Sequence, residues 1–305
     1  MLLTLAIVAL GVFLFMVLMV ATVWWRQERI AYQPPPENPA PPGSVRRTSF
    51  IASDGQPLYA YIVDPPSSAS STLGVLLAFH GNADLATWQI PWAQEAATRT
   101  GWRVVLAEYR GYGGLRGVPD YEGIRRDSRA AWNCARECFE GAPGLIGVFG
   151  HSLGSAVAAE LASDLVDENA TATPAVLLLQ SPFTSARDMV RIVSTRPVQL
   201  LWNVITRVHY DSRTRLARLK TPVWIAHGVR DWLIPVAMGR ELYQTALRPG
   251  RLLLVNDAGH NDVDERGEET YWQWLSDALA EAVRAHAGPV VAARSGSIHR
   301  TEMSG

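Results

Sequence analysis

Leu145-Ile-Gly-Val-Phe-Gly150-His151-Ser152-Leu153-Gly154-Ser-Ala-Val-Ala-Ala159 is the stretch on which the reading of this chain turns. Its start is continuously apolar, as a strand buried on both faces requires. Its end is a run of small helix-compatible residues. Between them stands Gly-x-Ser-x-Gly. A random chain of this length would show that pattern about one time in ten, so its setting carries more weight than the match. A strand that turns sharply into a helix through a serine lifts the hydroxyl above the sheet. The helix N-terminus there offers amides and a dipole that favour negative charge. The two glycines leave room for the tight turn. Ser152 is therefore the candidate nucleophile, and the Leu153 N–H a candidate oxyanion donor.

Working outward, short apolar runs at 75–79, 104–107, 176–179, 223–226 and 252–255 alternate with helical segments at 87–99, 121–138, 152–166, 235–245 and 268–286. That alternation predicts an α/β fold with a mostly parallel, doubly wound sheet. Stretches 49–52 and 58–63 flank Asp54-Gly55, a hairpin signal, and predict an antiparallel N-terminal edge. The segment between Ser181 and Lys220 reads as one or two helices and an irregular link. That is a small cap, so an open site is expected. Cys134 and Cys138, spaced i, i+4, read as free thiols on one helix face. The formal net charge of −1 and the lack of a clustered basic face argue against nucleic-acid binding.

A serine nucleophile needs a base. His260 lies in the loop after the last predicted strand. His80 and His227 end strands and read as packing or loop-shaping residues, while His209, His286 and His299 lie elsewhere. The base needs a carboxylate to fix its tautomer. Asp231 follows the strand at 223–226; Asp257 is the runner-up but lies too near His260 in sequence to approach it from the next strand. Asp262 and Asp264 read as solvated loop charges. The order Ser152, Asp231, His260 puts all three at carboxyl ends of strands, where crevices form in such sheets. The second oxyanion donor is expected from His80-Gly81-Asn82-Ala83: the Asn82 N–H, with Ala83 as the alternative. Trp232 and Trp88 are candidate substrate-pocket residues, with Trp92 and Trp202 behind them; ordinary packing is the competing role for each. The chemistry calls for no metal and no cofactor.

With these residues in place the chain resembles a known family, the lid-poor α/β-hydrolases of the serine-aminopeptidase-like superfamily. It is most similar to their membrane-anchored branch, which includes eukaryotic protein depalmitoylases and bacterial relatives. The resemblance rests on Phe79-His-Gly-Asn-Ala, Tyr109-Arg-Gly-Tyr-Gly, Gly150-His-Ser-Leu-Gly, Ser181-Pro-Phe-Thr-Ser, His227-Gly-Val-Arg-Asp and Ala258-Gly-His-Asn-Asp. It runs from about Val45 to His286 and implies an α/β-hydrolase fold with a Ser–His–Asp triad. Glu108 departs from the branch, which usually has Asp there; that loop is expected to shape the fold. The branch's N-terminal cysteine cluster is absent, which loosens any transfer of the depalmitoylase substrate.

The chain divides into an anchor at 1–26, a Pro-rich linker at 27–44, a catalytic domain at 45–287 and a disordered tail at 288–305. Leu2 to Trp25 is apolar and uncharged. At 1.5 Å per residue it spans roughly 35 Å, against about 30 Å of bilayer hydrocarbon. A signal peptide would have a basic start and a shorter apolar core. One transmembrane helix is therefore expected, with the bilayer as partner of residues 2–25. Arg26, Arg29, Arg46 and Arg47 follow the span, so the positive-inside rule places the domain on the cytoplasmic side. The expected activity is hydrolysis of acyl esters or thioesters of small acylated or lipid-like substrates. Amide or peptide hydrolysis by the same machinery is the alternative, and a catalytically silent tethered binding module the third reading.

Overall fold

The computed structural model describes residues 1–43, 45–66, 72–138, 145–168, 170 and 172–287. The tail expected at 288–305 lies outside them. Helix α1 (Leu2–Ala31) comes first. The strands are β1 (Arg46–Ile51), β2 (Pro57–Val63), β3 (Val75–Phe79), β4 (Arg103–Ala107), β5 (Ile146–His151), β6 (Val176–Gln180), β7 (Val223–Gly228) and β8 (Pro249–Val255). They form one sheet in the order β1-β2-β4-β3-β5-β6-β7-β8. β1 and β2 pair antiparallel, as do β2 and β4; every other pairing is parallel. This is the expected sheet with its antiparallel edge.

Helices α2 (Ile90–Thr100) and α9 (Val263–Ala287) cover one face; α3 (Tyr121–Glu137), α4 (Leu153–Asp167) and α8 (Val236–Thr245) cover the other. The pleat sorts side chains between the two cores: Val75, Leu77 and Phe79 face the α4 side, Leu76 and Ala78 the α9 side. Both faces are apolar because both are covered, which is why these strands read as unbroken hydrophobic runs. Two boundaries shift from expectation. α9 starts at Val263 rather than 268, with a kink at Glu268 (φ 44°). The cap holds three helices, not one or two: α5 (Ala186–Val193), α6 (Arg196–Ile205) and α7 (Ser212–Leu216). Ser185 and Asp211 cap α5 and α7 through the amides of Asp188 and Thr214, and Pro197 starts α6.

The first helix runs past residue 26. α1 continues to Ala31, and its end is fastened to the domain. Gln27 is buried: its side chain donates to Ile205 O (3.2 Å) and accepts from Arg207 N (2.7 Å). Arg207 pairs with Glu28 (3.0 Å) and lies over the Trp24 ring. Tyr32 is buried beside Tyr210, and Gln33 N donates to Asn82 Oδ1 (2.9 Å). Gln27 and Tyr32 are thus packed against the domain, while Arg29, Ile30 and Gln33 are exposed. The apolar part of α1 is long enough to cross a membrane, and none of its most apolar window is covered by protein.

Arg110 ties the N-terminal edge to the core. It binds Asp127 on α3 (2.7 Å) and Asp54 in the β1–β2 turn (2.8 Å), and its backbone N–H also donates to Asp127. Removing Asp127 leaves the buried guanidinium with the partly exposed Asp54 as its one carboxylate partner among the described residues. Asp127→Ala should lower stability by about 3–5 kcal/mol, read as a fall in the denaturant midpoint. Arg110→Met with Asp127→Ala should recover part of that loss; a double variant no more stable than the single would contradict the assignment.

Candidate active site

The carboxyl ends of β3, β5, β7 and β8 lie along one edge of the sheet, and each carries a residue of the site. Ser152 follows β5 at φ 53°, ψ −114°, a left-handed conformation rare for a residue with a Cβ. Its N–H is held by Gln180 O (3.0 Å). The turn is crowded. A Cβ on Gly150 would come within 2.1 Å of Gly154 O, and one on Gly154 within 2.1 Å of Phe79 O. Both glycines are therefore demanded by close backbone approach.

The structure brings Ser152, His260 and Asp231 together. His260 Nε2 lies 2.9 Å from Ser152 Oγ, and its Nδ1 lies 2.7 Å from Asp231 Oδ2. All three are buried. The other Asp231 oxygen accepts from Leu233 N (2.9 Å) and Ile234 N (2.8 Å). Burial opposes ionisation of Asp231. Hydrogen bonds from His227 and His260, and from the Ile234 amide, outweigh it and hold the carboxyl well below its ordinary range. An ionised Asp231 fixes the His260 Nδ1–H tautomer, which leaves Nε2 as the acceptor facing Ser152. Asp257 sits elsewhere, paired with Arg230 (2.8 Å) and exposed.

Several supporting residues were not read as such from sequence. His151 Nε2 (3.1 Å) and Ser181 Oγ (3.1 Å) both donate to the His260 carbonyl and fix its backbone. Burial, and then the charge of nearby His260, pushes His151 down to about 4, so it is a neutral donor at pH 7. His227 bonds Ile234 O (3.0 Å) and lies 3.3 Å from Asp231, which accords with its loop-shaping role. A motif position between two glycines gives no hint of what His151 holds.

The loop after β3 lies against Ser152: a Cβ on Gly81 would come 3.4 Å from Ser152 Cβ. Among the described residues, neither the Asn82 nor the Leu153 N–H donates to a protein acceptor. The loop is anchored on three sides. His80 Nε2 meets Glu108 (2.7 Å) and Nδ1 meets Gly81 O (2.8 Å), both fully buried. Glu108 also accepts from the amides of Ala86 and Tyr109. The Asn82 side chain accepts from Tyr112 OH (2.7 Å) and donates to Ala31 O (2.8 Å) at the end of α1. Of the tryptophans, Trp92 is core, stacked on Phe149 and bonded to Tyr271; Trp202 is buried in the cap. Trp88 is exposed, and Trp232 projects into solvent at 83% exposure although Asp231 beside it is buried.

Because the folded carboxyl of Asp231 is depressed, its contribution to stability is full above the unfolded Asp value of about 4. It is lost as pH falls below that value towards the depressed one. Asp231→Asn should therefore be less stable than wild type by a constant margin from pH 7 to about 5, with a gap that narrows by pH 3. Denaturant midpoints at those pH values measure it. A gap that widens on acidification would contradict the charge assignment.

A family model described as serine aminopeptidase, S33, matches residues 70–214. The uncharacterized protein Rv2307c of Mycobacterium tuberculosis is 33% identical over 265 residues, covering 84% of this chain and 86% of that protein. The human alpha/beta hydrolase domain-containing protein 17B is 28% identical over 206 residues, 67% of each chain. Among solved structures, the Pyrococcus furiosus esterase Pf2001 superposes with a TM-score of 0.64 at 18% identity, over 82% of this chain and 99% of that one. Its likeness is one of fold. On sheet order, strand-end site and these matches, the chain belongs to the α/β-hydrolase superfamily.

Proposed function

We propose that this protein is a membrane-anchored serine hydrolase that cleaves acyl ester or thioester bonds through an acyl-enzyme on Ser152. The observation that carries the reading is the hydrogen-bonded relay Ser152 Oγ, His260, Asp231, with spacings of 2.9 and 2.7 Å. In the reaction, His260 Nε2 takes the Ser152 proton as Oγ bonds to the acyl carbon. The carbonyl oxygen gains the negative charge, and the amides of Asn82 and Leu153 stabilise it. Asp231 stabilises the imidazolium. Collapse breaks the bond to the leaving group, which takes the proton from His260. Water then repeats the sequence on the acyl-enzyme and frees the acid. Loss of one oxyanion donor typically costs about 3 kcal/mol of transition-state stabilisation.

The description of the matching family model keeps amide or peptide hydrolysis as the second reading. The same triad would perform it, since the leaving group is chosen by the pocket and not by the triad. In the proposed arrangement α1 spans the bilayer and Arg26, Arg29, Arg46 and Arg47 hold the domain on the cytoplasmic side. A tethered domain favours acylated or lipid-like substrates.

Turnover of p-nitrophenyl esters from acetyl to palmitoyl tests this. Wild type should hydrolyse them with a preference for longer chains, and Ser152→Ala should lose about 10⁴-fold or more in kcat. Equal turnover across chain lengths would remove the lipid-like assignment. Activity retained in Ser152→Ala would remove the mechanism, and preferential cleavage of peptide p-nitroanilides would favour the second reading.

A further inference from the structure

α6 carries more apolar surface than the core covers. At 3.6 residues per turn, Leu200 and Val204 form one wall of the helix, Leu201 and Ile205 the next, and Val198 and Trp202 a third. Arg196, Gln199 and Asn203 make a polar edge. Of these apolar residues only Trp202 is buried. Val204 is 83% exposed and Leu200 70%, and Val193 at the end of α5 is 70% exposed beside exposed Ile192. A domain surface does not normally leave such a ridge open unless something covers it.

Two further observations say what does. The ridge is continuous with α1. Ile205 closes an apolar groove of ≈ 380 Å³ whose other wall is Phe13, Val17, Val20, Ala21 and Trp24. The hydrogen bonds of Gln27 and the Glu28–Arg207 pair fix α6 against the helix end there. α5 and α6 also carry arginines. Arg187 and Arg196 have no ion-pair partner among the described residues, and Arg191 pairs only with Asp188 on its own helix. An apolar face and arginines elsewhere on the same short helices are the pattern of helices lying in the lipid interface.

We propose that α5 and α6 are a second membrane-contact surface, lying in the bilayer interface beside α1 with lipid acyl chains against Leu200 and Val204. The proposal rests on the reading of α1 as a membrane anchor. Its consequence concerns the site. The cap leaves the sheet through Ser181 to Ser185, and Ser181 Oγ holds the His260 carbonyl. The segment that leads into the cap is therefore tied to the triad, and the proposed lipid contact lies on the same cap.

Fluorescence quenching in the full-length protein tests this. Single cysteines labelled with NBD are placed at Leu200→Cys, Val204→Cys, Val17→Cys and Gln273→Cys, in a Cys134→Ser/Cys138→Ser background. The protein is reconstituted in phosphatidylcholine–phosphatidylglycerol vesicles with or without doxyl-labelled lipid. Labels at 200, 204 and 17 should each lose at least twofold in intensity, and the label at 273, on the opposite layer, should not. Quenching at 17 but not at 200 and 204 overturns the cap proposal and leaves the anchor. Absence of quenching at 17 overturns the anchor reading and the cap proposal with it. Self-quenching at 204 that rises with protein density, without lipid quenching, assigns the ridge to a second copy and overturns the proposal.

Discussion

Ser152 sits in a backbone conformation that costs about 1–3 kcal/mol for a residue with a side chain, and the arrangement around it depends on that conformation being held. The turn persists because β3, β5 and α4 leave it no alternative. Gly154 packs directly on the carbonyl of Phe79, and Gly150 on Gly154. The Ser152 amide is tied to Gln180 at the end of β6. The parallel sheet thus fixes where the hydroxyl stands, and the loops of the neighbouring strands are then built around that point. His260 reaches Oγ because its own carbonyl is pinned by His151 and Ser181, one at the end of β5 and one just after β6. Strain at one residue and rigidity at its neighbours are a single design.

The loop after β3 shows the same logic extended to the start of the chain. Its backbone lies beside Ser152, yet its anchors are remote in sequence: Glu108 and Tyr112 after β4, and Ala31 at the end of α1. Glu108 accounts for its own departure from the branch pattern. It is a buried carboxylate that meets the His80 ring and two backbone amides at once, and the longer side chain is accommodated where Gly113 has no Cβ. The long apolar helix, the cap and this loop therefore meet in one cluster of hydrogen bonds rather than through a slack tether.

What could be read from sequence follows from the range of the forces involved. Each strand was visible because burial on both faces demands an unbroken apolar run. Ser152, Asp231 and His260 were legible because chemistry restricts the residue types and topology restricts them to strand ends in one chain order. Gln27 was not legible. A polar run of Arg26-Gln-Glu-Arg29 looks like the end of a span, and its partners Ile205 and Arg207 lie 178 and 180 residues away. The third cap helix was missed although Ser185, Thr195 and Asp211 mark three starts, because short helices lack the periodic apolar face that reveals longer ones. The roles of His151 and Ser181 depend on a carbonyl that only the folded β8 loop brings to them.

The relay between Ser152, His260 and Asp231 is best tested on Ser152 itself, by peptide mapping after reaction of the full-length protein with a fluorophosphonate. A nucleophile activated by His260 should carry the phosphonyl adduct on the peptide containing Ser152, with labelling lost in Ser152→Ala and strongly slowed in His260→Ala. Folded wild-type protein that takes up no label, or takes it up on another residue, would contradict a serine hydrolase built on this site.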